Sequence, residues 1–153
     1  MAVEKVKEYF VGTELEGKVI ELDESSATVE LAAQALGAEP DKIAKTLSFL
    51  VEDKPIIIVA SGLSRVDNKK FKEHFHIKAK MIPFDEVEDY VGFAPGGVCP
   101  FAYKEGVTAY LDDSLKKYET VFPAAGSANS AIEVTIEQLE KFSGYTEWVD
   151  VCK

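Results

Sequence analysis

The stretch IAKTLSFLVEDKPIIIVA, residues 43–60, decides the fold class of this chain. It contains two short apolar runs that are rich in β-branched side chains, which is typical of strands. The polar trio Glu52, Asp53 and Lys54 separates the two runs and is typical of a turn. Because so short a connection joins neighbouring antiparallel strands, the sequence predicts a β-hairpin here.

Helices and further strands surround this hairpin. Capping residues and terminal glycines indicate the helices, and short β-branched runs between turn signals indicate the strands. The predicted helices are residues 29–36 after Thr28, 68–75 after Asp67, 85–91 before Gly92 and 136–142 after Thr135, with helical turns at 40–42 and 113–118. The further predicted strands are residues 108–111, 120–124, 131–134 and 146–151.

The order of these elements favours the α+β class. Helices and strands mix without strict alternation, and several strands have short connections, so we expect a mixed, largely antiparallel sheet. The length of 153 residues is that of one domain, and a chain of this size buries about two-thirds of its unfolded surface. No linker, repeat or low-complexity stretch divides it, so residues 1–153 are predicted to form a single domain.

The chain carries no predicted targeting segment. Its first ten residues, MAVEKVKEYF, are charged and lack a signal peptide's apolar core, and no stretch approaches the roughly 20 apolar residues of a membrane span. We therefore expect a cytoplasmic protein in which Cys99 and Cys152 are reduced. His74 and His76 lack a ligand pattern around them, so no metal site is predicted.

The charge is strongly uneven. The whole chain has a formal net charge of −10, which argues against coating nucleic acid through bulk attraction. Residues 64–80, however, hold six basic and two acidic side chains. Such a run is either a solvated helix face or a local phosphate-contacting patch. The second interpretation suits a partner held at one end, such as a tRNA acceptor stem, better than a long duplex.

Lys45 is the most informative single residue. In a strand over residues 43–51 it shares the more apolar face with Ile43, Leu47 and Phe49. Burying an unpaired ammonium group costs several kcal/mol, so such a lysine needs a partner or a function. The alternative is that Lys45, close to the beginning of the strand, extends its amine to solvent.

Two loops of small residues are further candidates. In residues 92–101, GFAPGGVCPF, Gly96 and Gly97 would allow a ligand to approach the main chain, although such a sequence is also an ordinary turn. Cys99 in this loop is either a nucleophile with a lowered pKa or a small, half-buried residue. Residues 124–131, AAGSANSA, either line a pocket or satisfy their own turn.

Several of these stretches, taken in order, resemble the YbaK/EbsC family, the free-standing relatives of the editing domain inserted in bacterial prolyl-tRNA synthetase. The similarity covers roughly residues 25–143. It implies a single α/β domain with a curved, barrel-like sheet. The stretches that carry it are residues 28–50, 56–73, 91–101, 109–115 and 124–142.

The resemblance implies an aminoacyl-tRNA deacylase that acts in trans on a mischarged tRNA, removing a small amino acid from tRNA-Pro or a similar tRNA. The hydrolysis would need no metal, no cofactor and no covalent intermediate. The implied partners are the acceptor end of aminoacyl-tRNA and an aminoacyl-tRNA synthetase, without membrane or DNA. The implied residues are catalytic Lys45, Gly96 and Gly97, substrate-binding Ser26, Thr28, Thr46, Pro100, Ser127 and Asn129, and phosphate-contacting Arg65, Lys69 and Lys70.

The chain departs from the family at one loop. Some prolyl-type relatives place a histidine before the penultimate strand, where this chain has Gly126, Ser127, Ala128 and Asn129. Others carry a serine near Ala124. These differences favour a competing class, a binding module that holds an amino acid, a nucleotide or a tRNA end without turnover. A third class, a thiol enzyme that uses Cys99, is also open.

Overall fold

The structure, a computed structural model, describes residues 2–23 and 28–153. A six-stranded sheet carries helices on its faces. The helices are α1 (Ala2–Tyr9), α2 (Val29–Leu36), α3 (Asn68–Phe75), α4 (Val87–Val91) and α5 (Ile136–Ser143), and 3-10 turns cover Pro40–Lys42, Phe84–Glu86 and Asp113–Lys117. The strands are β1 (Ile20–Glu21), β2 (Ile43–Val51), β3 (Lys54–Ser61), β4 (Thr108–Asp112), β5 (Thr120–Pro123), β6 (Ser130–Ala131), β7 (Val134–Thr135) and β8 (Glu147–Val149).

The predicted α+β class and mixed sheet are confirmed. The main sheet has the order β7-β5-β2-β3-β4-β8 and is curled, and β1 pairs with β6 in a separate ribbon. The β2–β3 and β5–β7 pairs are antiparallel, while β2–β5, β3–β4 and β4–β8 are parallel. Parallel pairing is therefore more frequent than the sequence indicates, because long segments that contain helices, such as α3 and α4, separate these strands along the chain.

The predicted hairpin forms the centre of the sheet. Strands β2 and β3 pair from Ala44 opposite Ser61 to Val51 opposite Lys54. The two-residue connection has positive φ at both positions, 52° at Glu52 and 65° at Asp53. This geometry matches the right-handed twist of the flanking strands, which is why such turns favour hairpins.

Local capping signals place three helices where the sequence predicts them. Thr28 Oγ1 accepts a hydrogen bond from Leu31 N at the beginning of α2, and the Asp67 carboxylate caps α3. Thr135 and Gln138 form a reciprocal capping box at α5. Each side chain satisfies a backbone N–H that the first helical turn leaves unpaired.

Three predicted elements differ from the structure by more than one residue or are divided. The helix expected over residues 85–91 begins at Val87, because a 3-10 turn precedes it and no side chain caps it. The strand expected at 131–134 is split, since β6 pairs with β1 and β7 with β5. The last strand stops at Val149, and Val151 N donates to the Asp112 carboxylate rather than to a strand.

The sequence interpretation did not include helix α1. Its Val6, and Phe10 just beyond it, are buried in the larger apolar core on one face of the sheet, and Val3 is also buried. A second core on the opposite face lies under α3 and includes Phe71. None of the helices in the described ranges has both the length and the apolar character that crossing a lipid bilayer requires.

Candidate functional site

A cleft of about 540 Å³ opens along the edge of β2 that faces away from β3, where part of this edge has no neighbouring strand. Strand β5 covers this edge at Ile43 and Ala44 only. Further along, the segment 80–82 covers it, since Leu50 N donates to Lys80 O and Ile82 N donates to Ser48 O. The cleft is lined by Thr28, Val29, Ala32, Leu36, Ile43, Ala44, Lys45, Thr46, Leu47, Ser48, Met81, Ile82, Phe84, Val87, Pro95, Gly96, Val98, Phe122, Ala124, Ser130 and Ala131.

Most of the lining is apolar, and the polar groups are few. Helix α2 and the segment 81–87 supply much of the apolar wall, and residues 95–98 supply more of it. Among the described residues, the polar and charged side chains that line the cleft are those of Thr28, Lys45, Thr46, Ser48 and Ser130. An apolar cleft with a few convergent polar groups is the usual form of a small-molecule site.

Lys45 lines this cleft with its amine held in place. Lys45 Nζ donates to Gly62 O at 3.2 Å and to Ser64 O. An ammonium group has three N–H donors, so one remains for a ligand. Partial burial lowers the pKa of Lys45, and the nearby positive charge of Arg65 acts in the same direction. The sequence left two interpretations of Lys45 open, a lysine with partners and a lysine whose amine extends to solvent, and these contacts fit the first.

Asp41 fixes the turn at residues 61–64, whose carbonyl oxygens accept hydrogen bonds from the Lys45 amine. Its Oδ1 accepts from Leu63 N at 3.0 Å, and its main-chain oxygen accepts from Gly62 N at 3.3 Å. The other carboxylate oxygen accepts from Lys117 Nζ at 2.6 Å and Tyr118 OH at 2.9 Å. Burial by itself would raise the pKa of Asp41, but these hydrogen bonds outweigh it and lower the pKa to about 2. The turn is therefore anchored by a charged group.

The two glycines of the predicted loop have different environments. Gly97 N donates to Ala94 O at 3.0 Å, and Gly96 between them has φ of 89°. Pro95 at the second position and a positive φ at the third are typical of a type II turn. Gly96 lines the cleft, whereas the N–H of Gly97 is already used inside the turn.

Gly97 instead fits against a neighbouring loop. A Cβ at this position would lie 2.8 Å from the Gly126 carbonyl group and from Ser127 Cα. The absent side chain therefore lets the turn 94–97 pack on the loop that contains Gly126.

The predicted catalytic and substrate-binding residues divide into three groups. Thr28, Lys45, Thr46 and Gly96 line the cleft. Gly97, Pro100, Ser127 and Asn129 are not among its lining residues. Ser26 lies outside the described residues.

The loop after β5 is closed by its own hydrogen bonds. Ser127 Oγ lies 2.8 Å from both Asn129 Oδ1 and Ser130 Oγ, and Asn129 Nδ2 donates to Leu22 O at 3.0 Å. Ser130, which sequence reasoning did not single out, is the member of this network that lines the cleft. The polar residues thus mainly satisfy their own turn.

The three basic candidates also differ. Lys70 Nζ is paired with Asp150 at 3.0 Å and donates to Cys152 O at 2.9 Å. Arg65 and Lys69 are exposed. Arg65 directly follows Ser64, whose carbonyl contacts Lys45, and its charge influences the pKa of Lys45. Arg65 therefore lies next to the cleft.

The environment of Cys99 does not favour a nucleophile. The side chain is completely buried and Sγ donates to Phe101 O at 3.3 Å. Burial raises the pKa of this thiol to about 12, whereas a catalytic cysteine needs a lowered pKa. Among the described residues, no group of three or more His, Cys, Asp and Glu side chains is arranged to hold a metal ion.

The fold and the cleft together define a class of α+β proteins in which a lysine and a glycine-containing turn lie at an apolar site. Comparison with known proteins identifies the family. The family described as "Aminoacyl-tRNA editing domain" matches residues 23–142. The chain belongs to this family, to which its resemblance to YbaK/EbsC proteins had pointed.

Three similar proteins show how far the likeness extends. "Uncharacterized protein YwhH" of Bacillus subtilis (strain 168) is 47% identical over 100% of this chain and 98% of its own length. "Putative Cys-tRNA(Pro)/Cys-tRNA(Cys) deacylase EbsC" of Enterococcus faecalis (strain ATCC 700802 / V583) is 29% identical over 76% of this chain and 72% of its own. The crystal structure of a "putative trans-editing enzyme for prolyl tRNA synthetase" has a TM-score of 0.88 and 30% identity, and covers 99% of this chain and 97% of that one.

Proposed function

We propose that this protein is a trans-acting aminoacyl-tRNA deacylase in which residues 1–153 work as one editing domain. The observation that carries the proposal is that Lys45 and Gly96, two of the residues that the family resemblance implies for catalysis, line the same apolar cleft. Membership of the aminoacyl-tRNA editing family supports the same reaction class. The substrate would be met in the cytoplasm, where tRNAs are charged.

The reaction is hydrolysis of the ester between an amino acid and the ribose of the terminal adenosine. Water adds to the ester carbonyl carbon, the bond to the ribose oxygen breaks, and that oxygen takes a proton, so that free amino acid and tRNA are released. The third N–H of Lys45 contacts the ribose or phosphate of the terminal adenosine and stabilises developing negative charge. Holding the ester, the attacking water and the Lys45 amine in the reactive arrangement supplies much of the rate acceleration, without a metal or a covalent intermediate.

Of the two glycines, Gly96 is the one we assign to the substrate. The Gly96 N–H takes no part in the hydrogen bond of the turn, whose donor is Gly97 N. Gly96 also lines the cleft. In this role Gly96 N–H donates to the ester carbonyl oxygen or to the attacking water. Gly97 has a supporting role, since it lets the turn pack on the neighbouring loop.

The amino acid removed is small, and the tRNA is tRNA-Pro or a similar one. A pocket of fixed size rejects larger side chains sterically, whereas one methylene changes binding by only about 1–3 kcal/mol. A second, editing pocket compensates for this limit in a synthetase. We place tRNA phosphates at Arg65 and Lys69, and at Lys70 to a lesser degree because its amine is already paired.

A deacylation screen tests the proposal. Purified protein is incubated with tRNAs charged with Ala, Ser, Cys, Thr or Pro, and loss of the ester is followed. At least one of these esters is expected to be cleared, and Lys45→Ala is expected to abolish the reaction while the circular dichroism spectrum stays unchanged.

The matched control is Lys54→Ala, which removes an exposed lysine at the beginning of β3. It should deacylate at the wild-type rate. Clearance by Lys45→Ala as fast as by wild type refutes the mechanism. Absence of hydrolysis throughout the panel refutes the enzyme assignment in favour of a binding module without turnover.

A further inference from the structure

The open part of the β2 edge is a short gap between two paired segments. Strand β5 pairs with Ile43 and Ala44 on one side of the gap, and the segment 80–82 hydrogen-bonds to Ser48 and Leu50 on the other. At roughly 3.3 Å per residue, the distance along β2 from residue 44 to residue 48 is about 13 Å. Both ends of the gap are therefore closed by the protein's own chain.

Thr46 lies in the middle of this gap, and its main-chain N–H and C=O groups point into it. The edge-facing groups of β2 include Ser48 O and Leu50 N, and the direction of main-chain N–H and C=O groups alternates along a strand. Residue 46 therefore presents both groups to the same edge. No main-chain partner for them appears among the described residues.

The side chain of Thr46 adds a third polar group. Its Oγ1 is buried and has no hydrogen-bond partner among the residues that the structure describes, although Thr46 lines the cleft. Buried polar groups are nearly always paired, and leaving one unpaired costs free energy. The three unpaired groups together indicate that a bound ligand supplies their missing hydrogen-bond partners.

We propose that the aminoacyl group binds Thr46 as a strand of one residue. In a hydrogen-bonded antiparallel pair, two residues exchange both N–H···O bonds, and an amino-acid ester carries the required donor and acceptor on either side of one Cα. The substrate's α-amino group donates to Thr46 O and to Thr46 Oγ1, and the ester carbonyl oxygen accepts from Thr46 N, beside the donor at Gly96. This inference rests on the proposed function and assigns its substrate class, an ester with a free α-amino group.

N-acylation of the substrate prevents this binding in two ways. Acylation removes the charge from the amino group and so weakens its hydrogen bond to a carbonyl. It also extends the substrate along the edge, towards β5 or the segment 80–82, which close the gap. Peptidyl-tRNA and N-acylated aminoacyl-tRNA are thus rejected, although their side chains fit the same pocket.

The test uses amide analogues that cannot be hydrolysed. The probes are 3′-alanylamino-3′-deoxyadenosine, its N-acetyl derivative and the 3′-propionylamino compound, which lacks the amino group. Hydrogen exchange of the Thr46 amide is followed by NMR in the full chain. The alanyl probe should slow this exchange and bind roughly tenfold or more tightly than the other two.

A pair of variants isolates the hydroxyl group. Thr46→Val keeps the shape and removes Oγ1, and should weaken binding of the alanyl probe several-fold, whereas Thr46→Ser should retain most of the binding. Equal binding of the alanyl and N-acetyl probes overturns the inference. So does binding of the alanyl probe without protection of the Thr46 amide, or failure of all three probes to bind.

The outcome is separate from that of the deacylation screen. Protection of Thr46 by the alanyl probe, with no aminoacyl-tRNA hydrolysed, leaves the amino-group recognition standing and removes the enzyme assignment. Hydrolysis that depends on Lys45 but proceeds equally fast on N-acetylated substrate removes the recognition and leaves the enzyme assignment.

Discussion

Asp41 shows how one residue outside the cleft can govern the residue inside it. Its carboxylate accepts from Leu63 N and its main-chain oxygen accepts from Gly62 N. The turn fixed in this way offers the carbonyl oxygens that hold the Lys45 amine. A Cβ at Gly62 would lie 2.0 Å from Pro40 O, so the turn sits directly against the chain that precedes β2. Asp41 is thus a positioning residue.

At this scale we predict that Asp41→Ala lowers kcat for deacylation roughly tenfold, the equivalent of one lost hydrogen bond to a charged group. Removing the acceptor of Leu63 N lets the turn, and with it the Lys45 amine, move. Asp41→Asn keeps an acceptor oxygen and should restore most of kcat. Steady-state kinetics measure both. Wild-type kcat in a folded Asp41→Ala protein contradicts the positioning role.

At the scale of elements, the turn 94–97 and the loop around Gly126 act as one packed unit. Gly97 fits without a side chain against the Gly126 carbonyl group and Ser127. Helix α1 supports the same loop from behind, since a Cβ at Gly126 would lie 2.8 Å from Ala2 O. The position of Gly96 at the cleft therefore depends on contacts among segments far apart in sequence.

We predict that Gly97→Ala lowers the free energy of unfolding by about 1–3 kcal/mol, because the new methyl group meets main-chain atoms that cannot rotate away. The same change should reduce deacylation, since it displaces Gly96. Gly106→Ala is the control for activity: a Cβ there meets nothing within 4 Å, so the positive φ of 97° lowers stability while the turn 94–97 stays in place and deacylation is kept. Urea titration and kinetics measure the two effects. Unchanged stability and activity in Gly97→Ala would refute this packing argument.

For the whole molecule, Asp41 links three parts of the chain that are distant in sequence. It belongs to the turn Pro40–Lys42 and bonds to Leu63 after β3 and to Lys117 and Tyr118 before β5. Its folded-state pKa of about 2 lies below the ordinary value of 3.8. A carboxyl group with a lowered pKa contributes stability above the unfolded pKa and loses it as the pH falls through the folded pKa.

We therefore predict an acid-dependent stability difference between the wild type and Asp41→Asn. Above about pH 4 the charged carboxylate contributes about 2 kcal/mol to the wild type through this linkage. Most of this contribution should be lost as the pH falls to 2, where the folded carboxyl is half protonated. Urea unfolding of both proteins from pH 6 down to pH 2 measures it. A difference that is constant over this range contradicts the role of the Asp41 charge.

The sequence by itself determined the features that local physics controls. The central hairpin, the caps of α2, α3 and α5 and the general class follow from turn chemistry, capping and alternation within a few residues. Lys45 stood out for the same reason, since a lysine on an apolar strand face needs a partner. The glycine loop was recognisable from its composition.

Only the tertiary structure decided how these features meet. It brought Gly96 rather than Gly97 to the cleft, used Ser127 and Asn129 in hydrogen bonds within their loop and to Leu22, and placed Ser130 and Asp41 where no sequence signal pointed. It also left the edge of β2 open at Thr46. These outcomes depend on contacts such as Leu63–Asp41 and Asn129–Leu22, whose residues are 22 and 107 positions apart, and such contacts are set by the packing of the whole chain rather than by neighbouring residues.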